Sequence, residues 1–244
     1  MNLRHILFLG LAIAACLAVD LKAQETNINL VGAWQRGPEE NRIVWINSEK
    51  YFAAVVYNLN ENKFLGTCGG TWRVEGNTFV EVHEFNTMKP ELIGKELRNT
   101  IGMREGNLVF KIKEGDEEWI RIDDGSPGKL AGAWLITGRV NNGQVNRRTP
   151  GPRKTMKILS GTRFQWIAYN SETKEFSATG AGTYTTVNGK YVESIDVFSR
   201  DNSRVGMKLE FEYSLEDGEW HHKGNSSKGE PINEIWTKRE KLGI

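Results

Sequence analysis

From residue 30 onward, apolar and polar positions alternate in short runs, and no ten-residue stretch carries a capped helical period. Phe176, Ala178, Gly180, Gly182 and Tyr184 fall on one face of a strand. Leu209, Phe211, Tyr213 and Leu215 fall on another, opposite the charged Lys208, Glu210 and Glu212. Turn residues separate the runs: Ser160-Gly161, Asn188-Gly189, Asp201-Asn202-Ser203 and Asp217-Gly218. Asn-Gly supplies the positive φ that a two-residue type I′ hairpin turn requires. The pattern predicts eight strands at about 131–138, 153–159, 163–170, 175–186, 189–198, 204–214, 218–223 and 232–239. A matching set of eight is predicted earlier, at about 31–36, 42–47, 50–58, 63–74, 77–86, 93–103, 107–113 and 117–122.

The two sets are copies. Shifting the chain by 112 positions superposes Phe52 on Phe164, Tyr57 on Tyr169, Phe64 on Phe176, Gly70 on Gly182 and Glu81 on Glu193. Nine of the 33 positions from 52 to 84 are identical, where unrelated sequence gives about two. A duplication with short connections predicts two antiparallel meanders, residues 30–124 and 129–240. Eight strands remove both sheet edges by closing into a barrel, so the expected fold is all-β, two tandem eight-stranded up-and-down barrels. Gly69-Gly70 and the pair Gly180 and Gly182 suit strands that bend sharply into a small barrel. The turn-rich residues 123–128 are the expected hinge between the repeats.

Net charge is +1, yet residues 24–125 carry 12 Lys+Arg against 17 Asp+Glu, and residues 126–244 carry 18 against 13. No basic stripe interleaved with stacking aromatics runs along either half, which argues against nucleic acid as partner. Residues 1–23 read as a signal peptide: a basic start at Arg4 and His5, then an apolar run too short to span a bilayer. The mature chain is therefore expected to be exported, secreted or periplasmic, with no transmembrane helix. Ile13-Ala14-Ala15-Cys16 offers an alternative, an outer-membrane lipoprotein anchored through lipidated Cys16. Cys68 then stands alone, expected as a small buried hydrophobe on an aromatic-bearing strand face.

Each repeat opens with Gly-Ala-Trp, at Trp34 and Trp134, and closes with Trp-x-basic, at Trp119-Ile120-Arg121 and Trp236-Thr237-Lys238. This pairing resembles the closure of lipocalin-like (calycin) barrels, and most resembles the uncharacterised tandem domains of exported bacterial proteins. The resemblance implies that Arg121 packs across the Trp34 indole and Lys238 across Trp134, a cation–π contact of about 0.5–2 kcal/mol. It also implies a lid loop at the first connection of the second barrel. The chain departs from secreted lipocalins in lacking their disulfides and a C-terminal helix.

Glu81 and Glu193 occupy the same place in both copies, beside Phe79 and Tyr191. An inward carboxylate there either orients a ligand or is satisfied by a neighbouring barrel residue. Trp166, with the other aromatics, either stacks on a ligand or fills the barrel interior. The second repeat carries about twelve extra residues between its first two strands, within residues 137–154, which contain five cations including Arg147 and Arg148. These read either as a basic lid that recruits anions or as a solubilising loop. Histidines are too scattered for a metal site, no cofactor is implied, and no nucleophile, P-loop or metalloprotease motif occurs. The expectation is an exported, non-enzymatic binding protein for a small hydrophobic or anionic ligand. The alternative is a cell-envelope interaction module with filled barrels.

Overall fold

The computed structural model describes residues 28–244, so the expectations for residues 1–23, Cys16 included, lie outside the described residues. The first barrel runs β1 (Gly32–Arg36), β2 (Arg42–Asn47), β3 (Tyr51–Asn58), β4 (Lys63–Glu75), β5 (Thr78–Asn86), β6 (Glu96–Arg104), β7 (Asn107–Ile112) and β8 (Gly115–Asp123). Every neighbour in sequence is a neighbour in the sheet, and β1 pairs with β8 to close it. The second runs β9 (Gly132–Asn141), β10 (Gln144–Arg147), β11 (Arg153–Leu159), β12 (Arg163–Asn170), β13 (Phe176–Val187), β14 (Lys190–Phe198), β15 (Lys208–Glu216), β16 (Glu219–Asn225) and β17 (Pro231–Lys238). Pairing of β9 with β17 closes eight of these strands, and β10 is an extra strand on β9. Among the described residues no helix is long and apolar enough to cross a membrane.

The glycines act where the strands bend. The β4–β5 register slips between Gly69 and Gly70, and the β13–β14 register slips at the equivalent Ala181 and Gly182. A Cβ on Gly70 would lie 2.0 Å from the Val82 carbonyl oxygen, and one on Gly182 would lie 1.9 Å from that of Ser194. Only glycine lets the bulged strand approach its partner so closely.

Four local expectations are corrected. The residues 137–154 form no lid loop. Asn142 and Gly143 both take positive φ, 50° and 77°, so the chain turns back and β10 pairs along the upper half of β9. The strands expected from 93 and 204 begin at Glu96 and Lys208, because Pro90–Leu92 and Asn202–Arg204 each take one 3-10 turn first. Asp201 caps the second of these turns by accepting from the Ser203 amide. A C-terminal helix does exist, the single turn α1 (Arg239–Leu242), and β17 stops at Lys238 to allow it.

The expected hinge is pinned. Asp123 accepts hydrogen bonds from the amides of Gly125, Gly161 and Thr162 and from the hydroxyls of Ser160 and Thr162. Residues 160–162 belong to the second barrel, so this one carboxylate fastens the linker to it. Burial pushes the Asp123 carboxyl up, but the Thr162, Gly125, Ser160 and Gly161 donors together bring it below its usual value. Elsewhere the barrels share an apolar core in which Ala53 and Phe85 meet Met156, Ile167 and Tyr169. Phe64 stacks on its own counterpart Phe176 at 5.8 Å. Gln165 donates to Thr67 of the first barrel and Thr179 of the second. Arg239 from α1 reaches back to pair with Glu84, which also accepts from Tyr169, and its guanidinium lies 4.2 Å from the Tyr51 ring centroid.

Two predictions follow from these contacts. Gly182→Ala is expected to destabilise by roughly 2 kcal/mol or more in urea unfolding. Gly102→Ala, with open space around it, should stay within about 0.5 kcal/mol. Asp123 has a folded-state pKa below that of the unfolded chain, about 3.9, so its contribution is complete above that value and fades as pH falls through the folded pKa. Asp123→Asn should therefore cost stability at pH 7, and the cost should shrink steadily as the pH falls below about 3.9. An equal loss at every pH would remove the charge argument.

Candidate functional site: two unequal barrel cavities

At the floor of each barrel the indole of the opening Gly-Ala-Trp is held by its own chain. Trp34 Nε1 donates to the Leu30 carbonyl at 3.0 Å and Trp134 Nε1 to that of Leu130 at 2.8 Å. The Arg121 guanidinium carbon lies 4.2 Å from the Trp34 ring centroid, and Lys238 Nζ lies 5.4 Å from that of Trp134. Both cations sit within the range of an attractive cation–π contact. The strand register places them there, since Trp34 is opposite Arg121 and Trp134 opposite Lys238.

Away from these floors each barrel keeps a cavity. The first has a volume of ≈ 360 Å³ and a wall of Ile43, Trp45, Phe52, Val56, Phe79, Phe110, Ile112 and Trp119, with Glu81, His83 and Cys68 facing into it. Trp45 meets Phe79 and Trp119 edge-on at 5.3 and 5.4 Å, so the wall is a rigid aromatic box. Burial, and then the Glu81 carboxylate, push the Cys68 thiol up to about 12, which keeps it protonated as a small apolar surface. The second cavity has a volume of ≈ 330 Å³, and its lining is charged: Lys157, Glu193, His222, Glu230 and Glu234 beside Trp166, Phe198, Phe211 and Trp236.

The two glutamates face inward at matched positions with different company. Glu193 is 3 % exposed, and its Oε1 accepts from Lys157 Nζ at 2.7 Å and from the Tyr191 hydroxyl at 2.8 Å. Burial, and then the adjacent Glu193 charge, push the Tyr191 phenol well above its usual value, so it acts as a donor. His222 lies 3.6 Å from Glu234, and burial followed by the Lys157 ammonium pulls its imidazole down to about 4. Glu234 is raised by burial, but His222, Lys157 and Arg139 lower it further. Glu81 has no lysine. The group beside it is the His83 imidazole, whose Nε2 lies 3.3 Å away.

Of the residues singled out from sequence, Phe79 and Glu81 meet in the first cavity, and Trp166 and Glu193 in the second, with Tyr191 behind Glu193. Arg147 and Arg148 do not join them. Arg147 crosses Gly138 on the outer surface to make a bidentate pair with Glu219, and Arg148 donates to the Ile136 carbonyl. The β9–β10 hairpin borders an outer groove with Lys190 and Lys223 and lines neither cavity. Sequence reasoning missed Lys157, His222 and Glu234. The 112-residue shift carries a signal for the first, since it sets Lys157 on Trp45, a charge where the copy has an indole.

Two closed eight-stranded antiparallel barrels in tandem, each with a Trp-and-cation floor, fit a lipocalin-like fold. Residues 129–242, the second barrel, match the family model described as Domain of unknown function (DUF4488). No curated protein matches this chain.

The buried pair in the second barrel makes a prediction. Lys157→Met leaves Glu193 buried without its cation and is expected to cost about 3–5 kcal/mol. Joining it with Glu193→Gln should recover much of that loss, because the uncompensated charge is gone. Urea unfolding of the two single variants and the double variant measures the coupling, and purely additive losses would contradict it.

Proposed function

We propose that this chain is an exported, non-enzymatic binding protein that holds small, largely apolar ligands inside its barrels. The observation that carries this reading is the presence of buried polar atoms without partners on the cavity walls. In the first barrel these are His83 Nε2 and Trp119 Nε1, and in the second both His222 nitrogens and Trp236 Nε1. Buried polar atoms of this kind are expected to be satisfied, and a ligand or an ordered water inside the cavity does so. Volumes of ≈ 360 and ≈ 330 Å³ lie at the small end of the range for ligand pockets. Apolar walls with a few inward polar groups supply affinity and orientation in the usual proportion. The basic start and apolar run of residues 1–23 support export.

Arg147 and Arg148 have no part in this reading, since both are engaged away from the cavities. Filled barrels acting only through their surfaces fit the cavities less well. Fluorescence of the neutral probe N-phenyl-1-naphthylamine distinguishes the two readings. The full chain is expected to enhance it saturably. Ala54→Phe, which fills the first cavity, should remove one class of site. Absence of any saturable signal would favour the envelope module.

A further inference from the structure

The second barrel shows how this scaffold holds an ammonium. Lys157 Nζ sits 2.7 Å from Glu193 and 5.0, 5.1, 5.5 and 5.6 Å from the ring centroids of Tyr191, Trp220, Trp236 and Phe211. One carboxylate supplies the counter-charge and four aromatic rings supply their negative faces, which together replace the water an ammonium loses on burial. The lysine comes from β11, where it pairs across from Trp134.

The first barrel has the same carboxylate and an aromatic wall, but its nearby cation, Arg36, pairs with Glu117 and lies 5.5 Å from the Trp119 ring centroid, so Glu81 has no paired lysine or arginine. Trp45 pairs across from Trp34 and so occupies the place of Lys157. Its indole adds a further ring to the wall made by Phe79, Phe110 and Trp119. Two carboxylates line this cavity, Glu81 and Glu117, and neither Lys nor Arg does. Glu117 is engaged by Arg36. Among the described residues, the carboxylate of Glu81 has the His83 imidazole at 3.3 Å and the Cys68 thiol near it, and makes no ion pair with a lysine or arginine.

Hydrogen bonds around His83 set which of its ring nitrogens faces Glu81. The Asn86 side-chain oxygen accepts from the amides of Met88 and Lys89, which fixes the orientation of its carboxamide. Its Nδ2 therefore donates to His83 Nδ1 at 2.8 Å, and the ring hydrogen of His83 lies on Nε2, toward Glu81. That nitrogen is buried, makes no hydrogen bond of good geometry, and faces the cavity. The site thus presents the Glu81 carboxylate, the unpartnered ring nitrogens His83 Nε2 and Trp119 Nε1, and an aromatic box around ≈ 360 Å³.

We propose that the first barrel binds an organic ammonium, its charged nitrogen paired with Glu81 and its apolar body held among Trp45, Phe79, Phe110 and Trp119. The proposal rests on reading the barrels as binding cavities, and it assigns the ligand class of the first. The Glu81 carboxylate and the ring faces attract a cation and repel a carboxylate of the same shape. The second barrel carries its own ammonium in the equivalent place, so the two barrels differ in what they admit.

Calorimetric titration of the full chain at pH 7 with phenethylammonium, phenethyl alcohol and phenylacetate tests this directly. These three probes share a ring and chain length and differ in charge. The ammonium is expected to bind at least about tenfold more tightly than the alcohol, with phenylacetate weakest. Glu81→Gln should reduce the ammonium to the level of the alcohol, with its thermal melt checking that it folds. The wild-type ranking stands as a test even if that variant does not fold. Equal binding of ammonium and alcohol would overturn the cation assignment, and saturable naphthylamine fluorescence would then still uphold the cavity reading. If none of the three probes and no naphthylamine binds, both readings fail. An ammonium preference that survives Glu81→Gln but disappears in Glu193→Gln would overturn the assignment to the first barrel.

Discussion

A carboxylate that points into a closed barrel loses its water and must find a cation, a set of donors or a ligand. The duplication placed such a carboxylate in both halves of this chain, at Glu81 and Glu193, and much of the interior is arranged around how each is answered. In the second barrel the answer is internal. Lys157 and Tyr191 hold Glu193, and the rings of Phe211, Trp220 and Trp236 surround the ammonium. Introducing that lysine has further effects. Added to burial, its charge keeps the neighbouring imidazole of His222 down, and Arg139 pairs with Glu234 beside it. In the first barrel the equivalent positions are Trp45, Phe110 and Glu117, and the cavity stays largely apolar. One scaffold thus carries two chemically different interiors.

The outsides of the barrels are specialised in a different way. The linker, α1 and facing strand surfaces join them through buried polar contacts set within an apolar core. Asp123 grips residues 160–162, Arg239 grips Glu84, and Gln165 bridges Thr67 and Thr179. Arg239 also donates to the Ile244 carbonyl, which the Tyr51 hydroxyl contacts as well, so the last residues of the chain are part of the junction. Burial penalises each of these polar groups unless its partner is present, so they specify one docking geometry more strongly than an apolar face alone would.

Period-two alternation, turn dipeptides and the 112-residue repeat made the barrels legible, because strand direction and register leave their mark directly on local sequence. The floors were legible for the same reason, since Trp34 with Arg121 and Trp134 with Lys238 bracket each repeat. The insert forms a hairpin because its turn, more than its arginines, decides its structure. Val140 and Val145 flank Asn142-Gly143 in the same hairpin pattern that marks Asn188-Gly189. A single helical turn such as Arg239–Leu242 is too short to show a period, and it forms because Arg239 reaches Glu84 in the other barrel. The partner of Glu193 was hidden for a similar reason. Lys157 lies 36 residues away, and only closure of the sheet brings the two side chains into one cavity.

The account stands on the cavities being occupied by small molecules when the protein is at work. Native mass spectrometry of the chain purified from its own host, without detergent or organic solvent, reads this most directly. The account predicts a mass above that of the polypeptide by one or two discrete small adducts, released on gentle activation and absent after denaturation. A spectrum of bare polypeptide alone, from a preparation whose barrels also fail to take up a neutral aromatic probe, would contradict it.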